Sequence, residues 1–163
     1  MFDGFLRVAA ATPDIRVADV KFNKEQICNA IEEASDKRAK ILVFPELCVT
    51  GYTCGDLFTQ DVLLKEAKSA LCEIAEYTAE KDILVFVGVP LEVDGKLYNV
   101  AAALNEGKVI GLTTKTFLPN YGEFYEQRHF ASGAGCLEYM DYVKNCAANV
   151  TISAPNSAHA VGG

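Results

Sequence analysis

The sequence predicts an α/β fold, and three observations carry that prediction. Apolar runs of strand length recur early in the chain, the stretches between them hold apolar residues at helical spacing, and a series of turn-punctuated strands follows. Phe5 to Thr12 (FLRVAAAT) opens as a buried strand. Asn23 and Gln26 stand at the spacing of a capping box, and Ile27, Ile31 and Ala34 then fall on one face. A helix is predicted from there to about Lys37. Lys40 to Phe44 (KILVF) reads as a second strand, stopped by Pro45. From Asp61 to about Glu80, Leu63, Leu64, Ala67, Leu71, Ile74 and Tyr77 share a face and form the second helix. Ile83 to Val89 is the third strand. A β-α-β-α-β order of this kind places helices over a parallel sheet.

The pattern then changes. Leu91 to Val93, Asp94-Gly95 and Lys96 to Leu104 read as a hairpin, because Asp-Gly readily takes the positive φ angles of a primed turn. Asn105-Glu106-Gly107 is a second turn, and Lys108 to Thr116 a further strand. A meander added to a βαβ frame is not a plain doubly wound sheet. Leu118 to Phe130 is a polar and aromatic loop, and 131 to 135 is small and glycine-rich. Tyr139 to Ala147 is a short helix, Val150 to Ser153 a last strand, and the remainder a loop.

The chain has 163 residues, which is the size of one domain, and half of them are hydrophobic, which excludes an intrinsically disordered chain. Fifteen basic against 22 acidic residues leave a net charge of −7. That balance excludes a phosphate-tracking nucleic-acid binder or a polybasic membrane-surface protein. The longest apolar run, Ile83 to Pro90, falls short of the roughly 20 residues of a membrane span, and the amino terminus shows no signal-peptide pattern. The six cysteines are spread singly with no CxxC pair, so a cytoplasmic protein with reduced, mostly structural thiols is expected. His129 and His159 have no partners at ligand spacing, so no metal site is expected, and no glycine-rich phosphate loop is present.

Four places could carry chemistry. Glu46 follows an apolar strand directly, at the carboxyl end where α/β folds place their sites; it is a general base or a solvated loop residue. Lys115 ends a strand among apolar residues; it is a fixed cation for an oxyanion or a lysine on a solvated strand face. The run from Asn120 to Phe130 is dense in aromatics and paired charges, which line a site or pin the loop to the core. Among the thiols, Cys136 follows Gly133-Ala134-Gly135 and is sterically open; it is a nucleophile or an inert thiol.

Three strings, Val8 to Pro13 (VAAATP), Leu42 to Phe58 (LVFPELCVTGYTCGDLF) and Lys115 to Glu126 (KTFLPNYGEFYE), resemble the nitrilase, or carbon–nitrogen hydrolase, superfamily. Within it the chain is similar to the amino-terminal glutaminase domains of bacterial glutamine-dependent NAD synthetases, over about residues 5 to 130. The resemblance implies a four-layer α-β-β-α sandwich and a Glu-Lys-Cys triad. Glu46 then matches the general base, Lys115 the stabiliser of the tetrahedral intermediate, and Cys136 is the best remaining match to the nucleophile. It further implies that Tyr121 and Phe124 close the substrate pocket, that Glu126 helps hold the lysine, and that Ser157 contacts substrate. The spacing departs from the family between about residues 131 and 136, where Phe130 stands only six residues before Cys136 and a segment is missing by that comparison. The nucleophile is therefore Cys136 or lies in that missing segment, and the fold is an incomplete sandwich.

The activity implied is hydrolysis of glutamine to glutamate and ammonia for NAD synthesis. Two alternatives stay open: a stand-alone amidase on another small amide, and an inactive scaffold fragment. The amidase half needs no cofactor, since ATP belongs to a synthetase domain that this chain does not contain. The expected partners are a small amide, further copies of the chain in a homo-oligomer, and that synthetase domain in the full-length protein.

Overall fold

A computed structural model describes residues 4–134 and the backbone of residues 151–152. Six strands form one sheet whose order follows the chain: β1 (Val8–Ala10), β2 (Ile41–Val43), β3 (Leu84–Val93), β4 (Lys96–Asn105), β5 (Lys108–Thr114) and β6 (Thr151–Ile152). The first three pair in parallel, β3 to β5 form an antiparallel meander, and β6 returns parallel to β5. The parallel crossovers are made by α1 (Val20–Asp36) and α2 (Asp61–Tyr77). Ile27 and Ile31 of α1 and Leu71 and Ile74 of α2 are buried in one core with Leu42, Val85, Val87, Val89, Leu104 and Leu112 of the sheet. The period-2 alternation of β3 explains this, since Val85, Val87, Val89 and Leu91 share the buried face. Val8 and Val43 on the other face are exposed. The mixed sheet with one helical layer is thus an α-β half of the expected four-layer arrangement. No helix among the described residues is long and apolar enough to cross a membrane.

The differences from the sequence reading have physical causes. α1 starts three residues before Asn23, because the Asp19 carboxylate accepts from the Phe22 N–H at 3.0 Å and caps the helix. Asn23, expected as the cap, is instead buried inside the helix. Its side chain accepts from the Arg16 N–H at 2.8 Å and donates to the Arg16 and Val49 carbonyls. α2 ends at Tyr77 rather than near Glu80. β3 continues through Pro90 to Val93. Asn99, opposite Pro90, offers its carbonyl to the Lys115 N–H on the β5 side, so the Pro90 nitrogen faces the side where β2 has already ended. No ladder hydrogen bond is lost there. Asp94 and Gly95, with φ of 50° and 72°, form the expected primed turn. Residues 126–129, expected as loop, make a one-turn helix, α3 (Glu126–His129). The helix predicted from Tyr139 to Ala147 lies outside the described residues.

Cys28, Cys48 and Cys54 are free.

Candidate active site

Glu46 stands where β2 has just ended. The chain turns sharply there: Phe44 N–H still donates to Phe86 O at 2.9 Å, Leu47 takes a left-handed φ of 51°, and Val49 N–H returns to Gly88 O at 3.2 Å. Gly88 makes that turn possible. A methyl group at Gly88 would lie 2.2 Å from Leu47 N and 2.8 Å from both the Glu46 carbonyl carbon and Pro45 O. The loop carrying Glu46 therefore lies directly on the glycine of β3.

Lys115 follows β5 immediately, and its N–H donates to Asn99 O of β4 at 2.8 Å. Its ammonium lies 2.7 Å from Glu46 Oε1 and 2.9 Å from Glu126 Oε1, so one cation joins two carboxylates from distant parts of the chain. Burial works against the charged ammonium, but the hydrogen bonds to Glu46 and Glu126 outweigh it and hold the lysine above its ordinary value. Glu126 opens α3, whose first N–H reaches Pro119 O at 3.3 Å, and it is only 5 % exposed. Its Oε1 also accepts from the Tyr52 hydroxyl at 2.7 Å. Burial and that bond to Glu126 push the Tyr52 phenol upward, so it stays a neutral donor. Glu126 Oε2 is buried with no hydrogen-bond partner among the described residues. On the other flank the Asn99 amide donates to Glu46 Oε1.

The segment after α3 returns to the same strand ends. Ala131 N–H donates to Leu97 O at 2.7 Å, Gly133 N–H to Lys115 O at 2.9 Å, and Ser132 Oγ to Thr116 O at 2.7 Å. A methyl group at Gly133 would lie 2.2 Å from Thr114 Oγ1, so only glycine fits there.

The site opens on two hollows. One, about 330 Å³, is lined by Glu46, Gly88, Asn99 and Lys115 on the open face of the sheet. The other, about 370 Å³, is lined by Tyr52, Phe58, Phe124 and Glu126 among others. Across its rim Arg128 meets Asp56 at 3.0 Å. Phe124 reaches this hollow, whereas Tyr121 is 71 % exposed and stacks edge-to-face on Phe124 at 5.7 Å. The aromatic run is mixed in its role: Phe130 is buried against Phe58 at 5.0 Å, but Tyr121 and Tyr125 face solvent.

Glu46, Lys115 and Glu126, singled out from the sequence, are thus in direct contact. Cys136 and Ser157 lie outside the described residues. No other described thiol reaches the cluster in a reactive form. Burial pushes Cys48 up to about 12 and raises Cys54, and both are buried within the core. Burial raises Cys28 too, on α1. Tyr52, Gly88 and Asn99 were not singled out. The string TGY held the tyrosine in plain view, whereas Gly88 and Asn99 sit inside strands whose sequence shows only apolar alternation.

An arrangement of a carboxylate, an ammonium and a second buried carboxylate can accept a proton and stabilise a developing oxyanion side by side. The chain is similar to proteins of known family. A family model described as carbon-nitrogen hydrolase matches residues 7–149. A glutamine-dependent NAD(+) synthetase of Aquifex aeolicus is 42% identical over 129 residues, covering 78% of this chain and 22% of that protein. The one from Mycobacterium tuberculosis is 36% identical over 132 residues, covering 81% and 19%. The crystal structure of a glutamine-dependent NAD(+) synthetase from Cytophaga hutchinsonii superposes with a TM-score of 0.74 at 38% identity, covering 78% of this chain and 22% of that one. An amidase from Nesterenkonia sp. superposes with a TM-score of 0.65 at 26% identity, covering 78% and 48%. The chain spans only about a fifth of the synthetases and about half of the amidase. With strand order, site and sequence in agreement, the chain belongs to the carbon–nitrogen hydrolase family.

Proposed function

We propose that this chain is the glutamine-hydrolysing part of a glutamine-dependent NAD synthetase. The observation that carries the reading is Lys115 held between Glu46 at 2.7 Å and Glu126 at 2.9 Å. Glu46 takes the proton of a cysteine thiol, and the thiolate attacks the carboxamide carbon of glutamine. The carbonyl electrons move to oxygen, where the Lys115 ammonium stabilises the oxyanion. Collapse expels ammonia, which takes its proton from Glu46 and leaves a thioester. Glu46 then deprotonates a water that attacks the thioester, releasing glutamate and the thiol.

Cys136 is the proposed nucleophile. Gly133, three residues before Cys136 in the sequence, donates its N–H to Lys115 O at 2.9 Å, which supports the assignment. Phe124 walls the amide pocket with Tyr121 stacked on its outer side, and Ser157 contributes a polar contact to the substrate. The domain is read as 1–163, shortened between about 131 and 136. It is cytoplasmic and oligomeric, needs no cofactor of its own, and delivers ammonia to an ATP-using domain outside this chain. The similarity to synthetases of known name supports the glutamine assignment.

A second reading, a stand-alone amidase on another small amide, draws on the Nesterenkonia sp. amidase, of which this chain covers 48%. In a mutant of that protein acrylamide adds at the active site cysteine. The test is incubation with a glutamine-analogue electrophile followed by peptide mass mapping, with ammonia release measured from glutamine and from simple amides. An adduct on Cys136 with glutamine preferred supports the first reading, and preference for simple amides supports the second. No adduct and no ammonia would overturn both.

A further inference from the structure

Asn99 occupies the position on β4 directly opposite Lys115 and is 4 % exposed. It touches two of the three charged members of the site by different atoms. Its side-chain Nδ2 donates to Glu46 Oε1, and its backbone oxygen accepts the Lys115 N–H at 2.8 Å. Glu46 Oε1 therefore receives two donors, the Asn99 amide and the Lys115 ammonium at 2.7 Å. Its other oxygen, Oε2, makes no hydrogen bond to a described residue. Glu46 sits on a loop, its side chain is 40 % exposed, and it has three rotatable bonds, so nothing in its own backbone fixes where the carboxylate points. Two donors converging on one oxygen from adjacent strands fix it.

The residue type matters. A carboxamide offers N–H donors without a charge, so it orients the carboxylate without adding a second cation to it. An aspartate in the same place would present an acceptor to an acceptor. The other charged and titratable groups facing Glu46 are Lys115 directly, with Glu126 and Tyr52 behind the lysine.

We propose that Asn99 is a positioning residue that sets the rotamer of Glu46 and leaves Oε2 as the oxygen that accepts the thiol proton. This rests on Glu46 acting as the base in the proposed hydrolysis, and the experiment separates the two. Asn99→Leu and the isosteric Asn99→Asp are made in the full chain, with thermal melting to establish that each is folded. Should Asn99→Leu fail to fold, Asn99→Asp carries the test.

The expected result is a fall in kcat of about 10- to 100-fold with KM for glutamine within twofold, since the contact orients the base and does not bind substrate. In Asn99→Asp the acid limb of the kcat/KM profile moves to higher pH, because two adjoining carboxylates hold a proton longer. A merely structural asparagine would move neither. An unchanged kcat and pH profile in folded variants overturns the proposal.

A second measurement does not need turnover. The Asn99 side-chain amide signals of 15N-labelled protein are compared in wild type and Glu46→Leu, with Asn99→Leu for assignment. A downfield amide proton that collapses in Glu46→Leu supports the contact. If it does so in a wild type that hydrolyses no amide, the functional reading fails and the positioning of Glu46 stands. Identical amide signals in wild type and Glu46→Leu overturn the positioning.

Discussion

The glycine under the Glu46 loop gives the most quantitative prediction. In Gly88→Ala the new methyl carbon would start 2.2 Å from Leu47 N, where ordinary contact begins near 3.4 Å, so one side must move by about 1 Å. The neighbours are backbone atoms of residues 45 to 47 and cannot swing aside as a side chain would. Overpacking of this kind costs about 3 kcal/mol, at the upper end of its usual range. For a chain of this length that is a fall in Tm of roughly 6–12 °C. The displaced atoms carry Glu46, and a shift of about 1 Å in a reacting group lowers turnover on the order of 100-fold. Gly111→Ala is the matched control, two strands over on the same sheet. Among the described residues its methyl would meet only Ala103 Cβ at 4.0 Å, so stability is unchanged or gains about 0.4–1 kcal/mol. Differential scanning calorimetry and ammonia release measure both effects. If Gly88→Ala melts within about 2 °C of wild type, the close approach of β3 to the Glu46 loop is not what holds that loop.

Three further outcomes follow from the geometry. Lys115 is held above its ordinary value of 10.5 in the folded chain, so its contribution is complete below that pH and is lost as pH rises through the higher folded value. Tyr52 is raised as well and acts in the same direction. Melting between pH 9 and 12 therefore shows a decline that is shallower in Lys115→Met, and an equal slope in both proteins would refute the ion-pair account. Native alkylation at about pH 8 leaves Cys48 and Cys54 unmodified, because the Cys48 thiol is pushed up to about 12 and both side chains are buried, whereas unfolding in denaturant exposes them to reagent. Asn23→Ala removes three hydrogen bonds, one accepted from the Arg16 N–H and two donated to the Arg16 and Val49 carbonyls, and it lowers stability by about 2 kcal/mol in urea titration without affecting amide hydrolysis.

The sequence disclosed the elements better than it disclosed their partners. Asp94-Gly95 announced its turn because the required φ angles are a local property of those two residues. The helix faces were legible because burial on α1 and α2 repeats at 3.6 residues. Asn23 misled because its side chain prefers backbone groups of residues 16 and 49, which no local window contains. β3 runs past the Val89 end read from the sequence, because whether a strand continues through a proline depends on where its neighbour ends. Glu46 and Lys115 are 69 residues apart, so spacing alone could not pair them. The motif strings identified both, but Asn99 and Gly88 escaped notice, since each owes its importance to what another strand brings against it.

The strand order of the sheet, which repeats the order of the chain, bears on how the molecule assembles. Every strand up to β5 pairs with its immediate predecessor, so the sheet can grow from one side, each addition closing a short or helix-bridged loop. The bonds from Lys115 to Glu46 and Glu126 are different in kind. They cannot form until the last rung of β5 is set and the 126–133 segment has folded back across it. In a chain emerging from the ribosome, the charged cluster would then be among the final contacts to close, and its formation would report that the scaffold beneath it is complete.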